Sequence, residues 1–200
     1  MDDTILPPAD LPRLTSARLE LRPIEAGDVD ALYAMFSDPE ITRFWSSAAM
    51  TCREDAIALI EEINDYCQRG ELMEWALCRW DQPGLIGTCS LGNLDRVNRR
   101  GEIGFALARP AWGHGYMTEI LPVLVDHAFD TLNLHRLEAD VDPRNTGSIR
   151  LLEGLGFQLE GRLRERWQVT GEVQDALFYG LLSREWWARP GQTAGLGRSA

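Results

Sequence analysis

Gly104-Phe105-Ala106-Leu107-Ala108-Arg109-Pro110-Ala111-Trp112-Gly113-His114-Gly115-Tyr116-Met117-Thr118-Glu119 is the stretch that decides the reading of this chain. Apolar residues up to Leu107 suit a strand, and Gly113 and Gly115 suit a turn. Thr118 and Glu119, followed by Ile120, Leu121, Val123, Leu124 and Val125, suit a helix. The first amides of a helix have no intrahelical acceptor, and the helix dipole leaves partial positive charge beside them. A phosphate or pyrophosphate is therefore the natural ligand of such a turn.

Gly113-His114-Gly115 alone marks many kinds of turn. A dinucleotide-binding fold competes for it, with Glu138 or Asp140 as the ribose-binding acid. That alternative fails on architecture: the third glycine position holds Met117 or Thr118, and the strands ahead of the turn read as a meander rather than a βαβ series.

Working outward, Leu19 and Leu21 alternate with Glu20 and Arg22 as a short strand. Asp28 precedes Val29, Leu32, Tyr33 and Phe36 at helical spacing, and a loop follows through Asp38-Pro39-Glu40. Thr51 with Glu54 predicts a capping box for a helix presenting Ile57, Ile60 and Ile63, and Gly70 stands where that helix should stop. Strands are predicted over 73–80, 85–91 and 102–107, a helix over 115–130 and a strand over 136–141. A short helix from Asn145 to Gly156 and a strand pair over 157–168 and 173–182 complete the pattern. Pro122, two turns inside the 115–130 helix, predicts a kink, since proline in a regular helix interior costs on the order of 3 kcal/mol. The order β, α, α, βββ, α, β, α, ββ gives a single α/β (α+β) domain over 14–188 with a mixed, mostly antiparallel seven-stranded sheet flanked by helices. Residues 1–13, with three prolines, and the Gly-rich tail 189–200 are expected to be mobile ends.

Two hundred residues, 44% hydrophobic and 26% charged, are the composition of an ordinary soluble domain. Cys52, Cys67, Cys78 and Cys89 stand 15, 11 and 11 apart with no Cys-x-x-Cys pair, which predicts reduced thiols and a cytoplasmic protein rather than a zinc site or disulfide scaffold. His114, His127 and His135 are scattered, so no metal is expected. No basic leader and no apolar run of membrane-spanning length occurs. The net charge of −11 speaks against nucleic acid as a partner. An anion at the turn must be held by local charge, for which Arg99, Arg100, Arg109 and His114 are candidates.

The second constellation is Val141-Asp142-Pro143-Arg144-Asn145-Thr146-Gly147-Ser148-Ile149-Arg150-Leu151-Leu152-Glu153-Gly154-Leu155-Gly156-Phe157. Asn145 as N-cap and Ser148 at N3 could do no more than close a helix start. Together with Trp112-Gly113-His114-Gly115-Tyr116-Met117, however, the run resembles the GNAT superfamily of acyl-CoA-dependent N-acetyltransferases, and within it the RimJ/RimL branch. The resemblance spans about Leu19 to Leu182. The first segment lies on the superfamily's pyrophosphate pattern Gln/Arg-x-x-Gly-x-Gly/Ala, with Trp112 in place of Gln or Arg and Met117 in place of the small residue. Asn145-x-x-Ser148 with Leu155-Gly156-Phe157 is similar to the branch's second motif, and Arg18-Leu19-Glu20-Leu21-Arg22-Pro23, Glu160-Gly161 and Asp175 also look like this branch.

The resemblance implies central strands that splay apart after the fourth, with the pantetheine arm of acetyl-CoA between them. The cofactor would be held by Trp112, Gly113, His114, Gly115, Tyr116, Met117 and Thr118, with the pyrophosphate on the amides from Gly113 to Thr118, a backbone N–H near Ala106 to Leu107 as the oxyanion donor, Asn145 on the arm and Arg150 near the phosphates. It implies direct acetyl transfer in a ternary complex to a primary amine, either a protein N-terminus such as that of a ribosomal protein or a small molecule. A non-catalytic acyl-CoA-binding sensor or interaction module is the alternative. An alkylammonium must lose its proton before attack. Glu102, on the strand the resemblance makes the fourth, is either that general base or a surface glutamate at a strand start, and Glu165 and Glu74 have no motif behind them. Ser148 would donate to the departing thiolate. Arg43, Phe44 and Trp45 read as a packed loop or as the acceptor rim, and Asp175 as a partner of Arg162 or Arg164 rather than of the amine. A homodimer is compatible with this reading.

Overall fold

The computed structural model describes residues 11–189, so of the ends expected to be mobile, 1–13 and 189–200, residues 1–10 and 190–200 lie outside the described residues. Among the described residues eight strands form one sheet in the order β1-β2-β3-β4-β5-β6-β8-β7. They are β1 (Leu14–Thr15), β2 (Leu19–Pro23), β3 (Met73–Arg79), β4 (Leu85–Asp95), β5 (Arg100–Leu107), β6 (Arg136–Val141), β7 (Gln158–Val169) and β8 (Glu172–Leu182). The eighth strand, against seven expected, is β1: two residues long, it carries no periodicity and exists by pairing with β2, Leu14 opposite Leu21. Beside it the Trp75 indole donates to the Pro12 carbonyl at 2.8 Å, and Leu11 packs on the core.

β2 to β5 form the expected antiparallel meander. The parallel pairing of β5 with β6 extends only over Arg100↔Arg136, Gly101↔Leu137 and Glu102↔Glu138. Past Glu102 the two strands share no ladder while β6 stays paired with β8 from Arg136 to Val141, and a cleft opens in the middle of the sheet. At the closed end, Arg100, Glu138, Arg136 and Glu160 form a chain of ion pairs from β5 to β7. It passes over Gly180, where a Cβ would stand 2.5 Å from Glu160 Oε1.

The helices are α1 (Val29–Phe36), α2 (Pro39–Thr42), α3 (Arg53–Arg69), α4 (Tyr116–Asp126), α5 (Thr146–Gly154) and α6 (Ser183–Trp187). One sheet face buries Trp75, Leu77, Leu91 and Ile103 under Ile120, Leu121 and Leu124 of α4; the other buries Ala76, Cys78 and Ala106 under Leu32 and Met35 of α1 and Ile60 of α3. Burying one large apolar side chain on such a face contributes about 1.5–3 kcal/mol.

Several local expectations are corrected. The 38–40 loop opens helix α2, capped by the Asp38 carboxylate, which accepts from the Glu40 amide at 2.9 Å. The cap of α3 is one residue later than the Thr51–Glu54 reading: Cys52 is the N-cap, and Asp55 accepts from the amides of Thr51 and Cys52. Ile60 and Ile63 are buried but Ile57 is exposed, while Gly70 ends α3 in the left-handed region at φ 70° as read. Through Pro122 the α-form of α4 continues to Asp126, then widens into a π-turn over His127–Thr131, closed by the Leu132 amide on the His127 carbonyl at 3.0 Å. Having no N–H, Pro122 leaves the Thr118 carbonyl without its intrahelical donor.

Candidate active site

The turn between β5 and α4 is glycine-built for conformational reasons. Gly113 and Gly115 hold φ +77° and +74°, where an L side chain is strained even though a Cβ on Gly113 would meet nothing within 4 Å. The Trp112 indole donates to the Leu107 carbonyl at 2.7 Å, folding the turn back on the end of β5. On the other side Glu119 accepts from Ser16 Oγ at 2.8 Å, from the Arg18 amide at 2.8 Å and from Arg18 Nε at 2.6 Å, while Arg18 Nη2 donates to the His114 carbonyl at 3.2 Å. Burial opposes ionisation of Glu119, but Ser16 and Arg18 outweigh it and hold the carboxyl below its usual range.

Below the turn a hollow of about 980 Å³ runs along Phe105 to Leu107 at the end of β5 and beside the start of α5. Ala106, Leu107, Trp112, Gly113, Gly115, Tyr116, Met117, Thr118, Asn145 and Arg150 line it, which brings together ten of the positions singled out for the cofactor. His114 is not among them: its ring stacks on Tyr116 at 5.4 Å. Met117 is buried, its sulfur 4.0 Å from that of Cys89, and so can offer a ligand chiefly its amide. Pro122, Trp186 and Arg189 also line the hollow; no motif marks them. Arg189 reaches it by donating to the Gly154 carbonyl at 2.7 Å and to the Leu155 carbonyl, which closes the C-terminal end of α5. Three arginines, Arg144, Arg150 and Arg189, and one carboxylate, Glu40, line the wall, a balance that suits a polyanion at a helix N-terminus.

In the cleft itself, between Glu102 to Phe105 of β5 and Ala139 to Val141 of β6, lies a chamber of about 180 Å³. Phe44, Trp45, Phe105, Asn145 and Ser148 line both hollows and so form their junction. The chamber's charge is opposite: Glu102, Asp140, Asp142 and Asp175 line it, and no basic side chain does. Glu102 is half-buried and takes one hydrogen bond, from Asn93 Nδ2 at 2.8 Å. Burial pushes its carboxyl up against the pull of Asn93, and the neighbouring charges of Asp140 and Glu138 add to the rise. Glu138 itself is neutralised by Arg100 and Arg136. Asp140 accepts from the Trp167 indole at 3.1 Å and from Arg166 at 3.3 Å, while Asp175 pairs with Arg162 at 2.6 Å.

The Ser148 amide donates to the Asn145 carboxamide oxygen at 3.1 Å, so the cap is made; Ser148 also lines both hollows, and its hydroxyl makes no hydrogen bond among the described residues. Phe44 and Trp45 reach both hollows, whereas Arg43 lines neither and lies over the Phe44 ring at 5.3 Å. Glu165 and Glu74 line neither hollow. Glu74 sits partly buried on β3, where desolvation pushes its carboxyl up to about 7 against a hydrogen bond from Thr88.

Among the described residues no group of three or more His, Cys, Asp or Glu side chains could hold a metal ion, and no helix is long and apolar enough to cross a membrane. The sequence and the fold have counterparts among known proteins. The acetyltransferase (GNAT) domain matches residues 18–158. The uncharacterized N-acetyltransferase p20 of Bacillus licheniformis is 39% identical over 173 residues, covering 86% of this chain and 97% of that protein. The spermidine N(1)-acetyltransferase of Escherichia coli K12 is 26% identical over 179 residues, covering 88% and 93%. Mycobacterium smegmatis RimJ, solved with CoA-disulfide, shares the fold with a TM-score of 0.81 over 92% of this chain and 91% of its own, at 23% identity. The chain belongs to the GNAT family of acetyltransferases.

Proposed function

We propose that this protein transfers the acetyl group of acetyl-CoA directly to a primary amine in a ternary complex, as a member of the RimJ/RimL branch. The observation that carries the reading is the charge division of two joined hollows. A polyanion is favoured where arginines and free helix amides converge, a cation where Glu102, with no arginine partner among the described residues, lines a chamber whose other carboxylates, Asp140, Asp142 and Asp175, are paired with arginines, and Ser148 stands at the junction. The pyrophosphate rests on the amides from Gly115 to Thr118 with Arg150 and Arg189 nearby, and the pantetheine arm follows Ala106 and Leu107 along the unpaired edge of β5. Glu102 takes the ammonium proton, directly or through water; the neutral nitrogen then attacks the acetyl carbonyl and displaces the thiolate, toward which Ser148 donates. The Asn145 cap motif and Leu155-Gly156-Phe157 support the branch. A protein N-terminus and a small amine are both acceptors of the right chemistry, the latter in line with the spermidine-acetylating relative.

Thiol release from acetyl-CoA, measured with N-terminal peptides, polyamines and aminoglycosides, tests the reading. All 20 basic residues are arginine, so release without an acceptor cannot come from acetylation of the protein's own lysines. Amine-dependent release is expected; tight acetyl-CoA binding without it favours a sensor.

A further inference from the structure

The acceptor chamber holds a buried polar side chain that the transfer chemistry leaves idle. Gln174, near the start of β8, lines the chamber and is only 7% exposed. Its carboxamide makes no hydrogen bond among the described residues, yet the one sealed side-chain nitrogen or oxygen without a partner there is His127 Nε2, so the Gln174 carboxamide opens onto free space. Strand alternation says where that space lies. Glu102 pairs with Glu138, two residues before Asp140, and Asp140 pairs with Phe178, four residues after Gln174. Even steps along a strand keep a side chain on one face, so Gln174 shares the face that carries Glu102 and Asp140 into the chamber. Trp167, opposite Gln174 on β7, is on it too, its indole donating to Asp140 at 3.1 Å.

The charged groups around Gln174 are engaged. Asp140 also takes Arg166 at 3.3 Å, Asp142 takes Arg144 at 2.6 Å, and Asp175 takes Arg162 at 2.6 Å and the Glu165 amide at 2.9 Å. Glu102 bonds Asn93 through Oε2, which leaves Oε1 for the reacting nitrogen. A buried amide without a partner destabilises a fold and is rare in one, and a ligand that supplies the partner relieves it. Resting on the transferase reading, we infer that Gln174 is a specificity-determining residue, whose carboxamide hydrogen-bonds a neutral polar group carried by the acceptor beside its reacting amine. A carboxamide both donates and accepts, which suits a hydroxyl or an amide; a second ammonium only donates and is better served by a free carboxylate. A wholly apolar amine leaves the carboxamide buried and unpaired, so the site rejects it.

The test uses the full-length protein and initial rates of thiol release with two amine pairs matched in shape: ethanolamine against n-propylamine, and glycinamide against isobutylamine. Gln174→Met keeps the length of the side chain and removes its hydrogen bonds; Gln174→Ala removes the side chain. The wild type should favour the polar member of each pair in kcat/KM, and both variants should lose about three- to tenfold of that preference, chiefly through KM, the worth of one hydrogen bond between neutral groups. Each amine is compared with itself across the variants, so differences in amine pKa cancel. The Tm of Gln174→Met should hold or rise, and calorimetric titration with CoA should give an unchanged affinity. A preference that survives in both variants overturns the inference. So does a fall in Tm of several degrees in Gln174→Met with both members of each pair slowed equally, the mark of a structural role. Release with the wider panel of amines but with neither ethanolamine nor glycinamide also overturns the inference, and all three outcomes leave the transferase reading intact. No release with any amine or peptide overturns both.

Discussion

The Glu119 carboxylate takes two hydrogen bonds from Arg18, one from its amide at 2.8 Å and one from its guanidinium at 2.6 Å, across 101 residues of chain. The contact ties the entry of β2 to the first turn of α4, and the same guanidinium reaches the His114 carbonyl in the middle of the glycine turn. The anion cradle is therefore braced from outside by residues that line no part of it. A carboxylate in the first turn of a helix is also favoured by the helix dipole.

Glu119→Gln keeps the shape of this brace but removes its charge-assisted bonds, which are about twice as strong as neutral ones. The turn should loosen and the KM for acetyl-CoA should rise about tenfold, a loss of about 1.4 kcal/mol in binding. Because no reacting group moves, kcat should change much less. Calorimetric titration with CoA, alongside steady-state kinetics, checks the split.

Gly115→Ala addresses the cradle directly. At φ +74° the alanine Cβ adds strain of roughly 1–2 kcal/mol without meeting any heavy atom closer than 3.9 Å, so the penalty is conformational. Thermal melts should show Tm lower by about 2–8 °C for a chain of this size, and CoA should then stabilise the variant less than the wild type. Gly154→Ala at the end of α5 is the control: its Cβ meets nothing within 4 Å and its φ is not left-handed, so Tm should hold or rise.

These glycines were legible in the sequence because strand, turn and helix are contiguous there, and each half of the constellation carries its own local pattern. The Asn145 cap and the stop at Gly70 were legible for the same reason. The acceptor chamber was only partly so. Glu102, Asp140 and Trp167 meet because β8 inserts between β6 and β7, a long-range pairing without a local signature. Arg189 was missed because it acts through the carbonyls of Gly154 and Leu155, which only the folded chain brings near it. The displaced cap at Cys52 shows the finer limit: Thr51, Glu54 and Asp55 all have capping side chains, and one residue of register decides among them.

Glu74 makes a prediction about stability rather than catalysis. Its carboxyl is raised to about 7 by burial, so the folded state holds the proton more tightly than the unfolded chain. Stability from the protonated form is complete below the unfolded value of about 4.3 and is lost as pH rises through about 7, where the fold must carry the charge. Glu74→Gln removes that loss. Its Tm relative to the wild type should climb between pH 4.5 and pH 7.5, by an amount corresponding to about 1–3 kcal/mol. Melts that run parallel across this range would remove Glu74 from the account of the core.

Glu102 and Asp140 form the last pair with a measurable consequence. If Glu102 is the base, kcat/KM rises with pH as its carboxyl ionises, and burial together with Asp140 places that rise above the ordinary glutamate range. Glu102→Gln should cut kcat by about a hundredfold or more and erase the acid limb, with little change in affinity for CoA. Asp140→Asn removes a negative neighbour, makes ionisation of Glu102 easier and should move the acid limb to lower pH. A surface glutamate unconnected with the reaction predicts the reverse on both counts: an intact acid limb in Glu102→Gln and no displacement in Asp140→Asn. The pH profiles of the two variants therefore separate the base from the bystander, which neither the burial of Glu102 nor its bond to Asn93 can do alone.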